Sequence, residues 1–294
     1  MIEICEVGPR DGLQNESKIL SAETKVELIK RLIDAGIHNI EAVSFVNPKV
    51  VPQMADAEEV MRLVPKREDV RYGGLVLSRS GLERALKTDV DYLHVVTTTS
   101  DSFNLRNVKR TVEQAVQELS LVIQDGVKAK KGVAGVLGTA FGCPFEGEVP
   151  VDRVLKTAEK FVEAGCTEIT LADTTGMANP AQVQAVIKAF KNAFGDDLLI
   201  GLHFHNTRGL GLANTLAGYQ SGITRFDSSI AGLGGCPFAP KAVGNVCTED
   251  MVNMLHGMGV QTGTDLEKLV NTAKWLEERM DRSLDGMVMK AGIA

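Results

Sequence analysis

Residues 167–207 read TEITLADTTGMANPAQVQAVIKAFKNAFGDDLLIGLHFHNT: an apolar run, a helical stretch and a second apolar run. TEITLADT and LLIGLHFH have the length and β-rich composition of strands. Between them, PAQVQAVIKAFKNAFG repeats its apolar residues at helical spacing, with Pro180 in its first turn and Gly195 at its end. One helix between two strands implies parallel pairing. The unit recurs outward in both directions. ICEV, HNIEAVSF, VRYGGLVL, YLHVVTT and GVAGVLGTAF precede it and FDSSIAG follows, making eight strand-like runs, with SAETKVELIKRLIDAGI and VDRVLKTAEKFVEAGC among the intervening helices. Eight βα units in roughly 250 residues predict an α/β fold of the (β/α)8 TIM-barrel type. A doubly wound sheet would more often carry a Gly-x-Gly-x-x-Gly turn after its first strand, and none is present. Residues 250–257 and 265–282 read as extra C-terminal helices. No linker or low-complexity tract interrupts residues 1–294, which read as a single domain.

The chain has 294 residues, is 44% apolar and 24% charged, and carries a net charge of -6. That composition suits a globular protein with a sizeable core and argues against disorder, a membrane span or a nucleic-acid backbone as partner. A small molecule is the expected ligand. Residue 2 already begins a plausible strand, with no visible signal or transit segment, so the expected location is cytoplasmic. Five widely spaced cysteines without a Cys-x-x-Cys pair fit reduced thiols.

Chemistry in a TIM barrel sits at the carboxyl ends of its strands. His203 and His205 lie two apart in the seventh run, so both imidazoles should point the same way. Closure would set strands one, seven and eight side by side. Asp11, in a Pro-Arg-Asp-Gly turn after strand one, could then meet the histidines and Asn245, from the segment after strand eight. Two imidazoles, a carboxylate and an amide oxygen suit magnesium or manganese better than structural zinc. Each has a plainer explanation: a packed histidine, a turn-forming Asp11, a helix-capping Asn245. Convergence would decide. Glu41 inside an apolar strand needs a cationic partner, for which Arg10 is available. Cys236 sits among glycines in AGLGGCPF, where a thiol could give or take a proton. Cys5, Cys166 and Cys247 read as packing residues, and His38, His94 and His256 as isolated.

EVGPRDGLQNE, IEAVSFVNPKVVPQMAD, LADTTGMANP, GLHFHNTRGLGLAN and SSIAGLGGCPFAPKAVGNVCTED together resemble the 3-hydroxy-3-methylglutaryl-CoA lyase family, over nearly the whole chain. The Arg-Asp turn and His-x-His pair are shared with isopropylmalate and homocitrate synthases, whereas the Ala-Gly-Leu-Gly-Gly-Cys-Pro loop marks the lyases. The resemblance implies cleavage of 3-hydroxy-3-methylglutaryl-CoA to acetyl-CoA and acetoacetate, as in leucine degradation. It further implies a divalent magnesium or manganese ion on Asp11, His203, His205 and Asn245, with Asp11 or His203 as base. Arg10 would stabilise the enolate, Glu41 would orient Arg10, and Cys236 would protonate the carbon. Gln14, Asp173 and Glu249 would bind substrate or support the ligands. The implied partner is an acyl-CoA, and the implied assembly a homodimer. The alternatives are a synthase or aldolase running the same chemistry toward condensation on a 2-oxo acid, and a barrel kept as a non-catalytic binding module.

Overall fold

The alternation of apolar runs and amphipathic stretches is realised as eight parallel strands: β1 (Glu3–Glu6), β2 (Asn39–Ser44), β3 (Arg71–Val76), β4 (Tyr92–Thr98), β5 (Gly132–Gly138), β6 (Glu168–Asp173), β7 (Leu199–Phe204) and β8 (Arg225–Ser228). Each pairs with the next and β8 pairs with β1, closing a (β/α)8 TIM barrel. The structure, a computed structural model, describes residues 1–234 and 244–293. Helices α1 (Ala22–Asp34), α2 (Ala57–Leu63), α3 (Arg79–Ala85), α4 (Asp101–Val108), α5 (Val112–Lys128), α6 (Val151–Ala164), α7 (Pro180–Phe194) and α8 (Gly211–Gln220) lie between strands. After β8 come α9 (Thr248–Gly257), α10 (Leu266–Met280) and α11 (Val288–Ala291). Among the described residues no helix is long and apolar enough to cross a membrane.

Local chemistry sets the helix ends. The Ser21 hydroxyl accepts from Thr24 N at 3.3 Å and opens α1. The Asn179 side chain accepts from Gln182 N at 3.1 Å and opens α7, with Pro180 as first residue, where its missing N–H leaves no bond unmade. Helix α6 stops at Gly165, whose φ of +118° a side chain would resist. Apolar helix faces cover the outside of the sheet, with Phe161 and Phe190 fully buried.

The barrel interior, by contrast, is charged. Arg225 Nε lies 2.5 Å from Glu168 Oε1, and Asp227, Glu41 and His94 share this core. A further contact network joins the C-terminal segment to the loop after β8 and to α9: Asp285 N and Gly286 N donate to Ala231 O at 3.1 and 3.2 Å, and Val288 N donates to Asp250 Oδ1 at 2.7 Å.

Candidate active site

Past β1 the chain forms not the expected β-turn but one wide turn of π-helix, Gly8–Gly12. Asp11 N and Gly12 N both reach back to Val7 O, at 2.7 and 3.2 Å. The wider turn lays Arg10 and Asp11 together over the carboxyl end of the barrel. Arg10 Nη1 donates to Asp11 Oδ1 at 2.6 Å, and Gln14 Nε2 donates to the same oxygen at 3.0 Å. Arg10 Nε donates to Glu41 Oε2 at 2.6 Å, with Nη2 on that oxygen as well. The buried Glu41 carboxylate on β2 thus has its cation. Burial works against its charge, but Arg10 and His94 outweigh burial and hold its pKa below the usual carboxylate value.

His203 and His205 project together, ring centres 5.2 Å apart. Asp11, His203 and His205 each offer a ligand atom, and these atoms lie within 4.8 Å of one another. Asn245 joins them through an antiparallel bridge between its backbone and that of His205, so it is not a helix cap; Cys247 holds that position for α9. Its Nδ2 donates to Asp11 Oδ2 at 2.8 Å and Leu233 O at 3.0 Å. Its Oδ1 is buried with no hydrogen-bond partner among the described residues. An unmatched buried amide oxygen is costly unless something electropositive meets it. Beside two imidazoles and a carboxylate, that oxygen completes a donor set that fits a divalent cation.

Electrostatics separates the roles. Burial pushes the Asp11 carboxyl up, yet the charges of Arg10, His203 and His205 bring it below its ordinary value. For His203 burial disfavours the cation, while the hydrogen bond and charge of Asp227, with Asp11, raise its pKa. His203 Nδ1 sits 3.1 Å from Asp227 Oδ2. The Asp227 carboxyl, opposed by burial but held low by His203 and Arg225, is an acceptor, so Nδ1 donates, and the neutral form of the ring then carries its lone pair on Nε2, where a cation can take it.

The other expected residues stand one layer out. Asp173 accepts from Met177 N at 2.8 Å and Ala178 N at 3.1 Å and so shapes the loop after β6; burial raises its pKa to about 6. Glu249 accepts from Ala231 N at 3.0 Å, supporting a non-glycine residue held at φ +57°, and burial raises it to about 7. Cys236 lies outside the described residues. Cys5, Cys166 and Cys247 are buried, as packing residues should be.

Three groups went unread in the sequence. Asp227 and Glu6 are carboxylates in apolar strands, and the reasoning that found Glu41 would have found them. Glu6 accepts from Gly8 N, Ile230 N and the Thr248 hydroxyl at 2.7, 2.9 and 2.6 Å, tying β1 to the segments after β8. His94 is not isolated: its Nδ1 is 2.7 Å from Glu41 Oε1.

The HMGL-like family model matches residues 1–276. The chain is 43% identical to the (R)-citramalyl-CoA lyase of Chloroflexus aurantiacus, over 99% of this chain and 95% of that one. It is 42% identical to the hydroxymethylglutaryl-CoA lyase YngG of Bacillus subtilis, over 96% and 94%. An HMG-CoA lyase from Acinetobacter baumannii, solved with coenzyme A and 3-methylmalate, superposes with a TM-score of 0.95 at 40% identity, over 99% of this chain and 95% of that one.

Proposed function

The chain belongs to the HMGL-like family and is a carbon–carbon lyase, and from that premise we propose that it cleaves 3-hydroxy-3-methylglutaryl-CoA into acetyl-CoA and acetoacetate. The observation that carries this reading is the meeting of Asp11, His203 and His205 beside Arg10 at the carboxyl end of the barrel. Asp11, His203, His205 and Asn245 would hold a magnesium or manganese ion, which when bound supplies Lewis-acid charge to the substrate hydroxyl and carboxylate.

The protein's own groups divide the remaining work. His203 holds Nδ1 against Asp227 and would offer Nε2 to the ion, which leaves the ionised Asp11 to accept the hydroxyl proton. The oxygen pair then closes to the new ketone, the carbon–carbon bond breaks, and its electrons pass to the thioester enolate. Arg10, kept cationic and pinned by Glu41 and Asp11, faces the developing negative oxygen. Cys236 delivers the proton that turns the enolate carbon into the acetyl methyl group.

A second reading has its own support in the 43% identical citramalyl-CoA lyase. Citramalyl-CoA also has a tertiary alcohol and a carboxylate, but the carboxylate sits directly on the carbinol carbon, so cleavage would release pyruvate. Supplying each thioester with magnesium and identifying the keto acid separates the two. Acetoacetate from 3-hydroxy-3-methylglutaryl-CoA is expected. Pyruvate from citramalyl-CoA with no acetoacetate from the other would transfer the assignment, and cleavage of neither would remove both.

A further inference from the structure

His94 on β4 takes no part in the chemistry above, yet it is only 5% exposed and its Nδ1 lies 2.7 Å from Glu41 Oε1 on β2. Strand β3 runs between β2 and β4, so the imidazole must cross it. At the crossing stands Gly73, paired in register with Glu41. A Cβ there would lie 3.1 Å from His94 Cε1 and 3.3 Å from Nε2, closer than ordinary contact. The missing side chain on β3 therefore opens the path from His94 to Glu41. The Tyr92 ring meets the imidazole edge to face at 6.3 Å and supports it from its own strand.

Glu41 is gripped at both oxygens: Oε1 by His94, Oε2 by Arg10 through Nε and Nη2. A carboxylate turns easily about its terminal bond, so one oxygen held leaves its plane loose and two held fix it. We propose that His94 is a positioning residue of this site, fixing the plane of the Glu41 carboxylate so that the Arg10 guanidinium stays aimed at the thioester oxygen on which charge develops. This rests on the role assigned to Arg10 above. A mere neutralising partner for a buried carboxylate would influence stability but not turnover specifically.

The imidazole Nδ1 occupies the place an asparagine amide nitrogen can take, whereas leucine fills similar volume with no donor. His94→Leu should lower kcat about 10- to 100-fold, the scale expected when a catalytic group is misplaced by about an ångström. KM and manganese affinity should stay within about threefold, and His94→Asn should recover kcat to within about fivefold of the parent. Equal losses in both variants, or full turnover in the leucine variant, would overturn the proposal. Should the leucine variant not fold, Gly73→Ala intrudes on the imidazole while keeping it, and should lower kcat in the same way; unchanged kcat there also overturns it. A second readout needs no substrate: the NMR exchange rate of the Arg10 Nε proton, expected slow in the parent and in His94→Asn and faster by about tenfold or more in His94→Leu or Gly73→Ala. A parent that cleaves neither thioester but shows this exchange pattern loses the proposed reaction and keeps the positioning. A parent that cleaves but shows no change in Arg10 exchange keeps the reaction and loses the positioning.

Discussion

Arg10 holds two carboxylates at once, and the geometry depends on its planar fork: Nε and Nη2 engage Glu41 while Nη1 engages Asp11. Lysine preserves the charge but has no fork. Arg10→Lys is therefore expected to cut turnover by about two orders of magnitude, about 3 kcal/mol, as for loss of one preorganised oxyanion donor, with a much smaller change in KM. Steady-state kinetics checks this, and near-parental turnover would reduce Arg10 to a structural partner of Glu41. Cys236→Ser keeps size and hydrogen bonding but is a far weaker acid, so kcat should fall by about 10²- to 10⁴-fold, the span of a positioned acid, while manganese and substrate still bind. Turnover within a few-fold of the parent would place the proton donor elsewhere.

At the scale of elements, the pairing of β7 with β8 sets the state of the metal-facing histidine. His203 and Asp227 are Cα partners across that pair, so their side chains emerge side by side into the barrel. Asp227 has a job only because it is an acceptor. Asp227→Asn preserves shape but offers an amide donor to Nδ1, favouring the tautomer that protonates Nε2 and removes its lone pair. Manganese affinity, read by direct titration, should weaken about 10- to 100-fold, the usual effect of removing a partner behind a metal ligand. Unchanged affinity would make Asp227 a packing partner. The π-turn after β1 belongs to the same scale: a simple β-turn has fewer residues with which to carry Arg10 and Asp11 over the strand end together.

Across the whole molecule, the barrel buries an acid, Glu6, whose partners among the described residues are hydrogen-bond donors. Burial raises Glu6 from 4.5 to about 8, outweighing its bonds to Thr248, Ile230 and Gly8. The folded protein then holds a proton that the unfolded chain releases, so this contribution to stability is complete below about pH 4.5 and is lost as pH rises through about 8. Glu6→Gln mimics the protonated acid, its amide donating to the Thr248 hydroxyl and its oxygen accepting from the two backbone N–H groups. It should match the parent in melting temperature near pH 5 and exceed it near pH 9 in metal-free buffer; a parallel pH profile for the two proteins would show that Glu6 is ionised when folded. The sequence by itself determined which segments became strands and helices, because apolar period, caps and helix-ending glycines act within a few residues. It also determined that His203 and His205 share a face, since alternation along a strand is local. The ion pair of Glu41 with Arg10 was legible because a lone carboxylate in an apolar strand demands a cation. Only the tertiary structure decided that His94 reaches Glu41 across Gly73, that Asp227 stands behind His203, and that Asn245 closes on Asp11 from 234 positions away. Those meetings depend on the register between strands and on closure of β8 against β1, which are set by packing around the whole barrel and carry no local period.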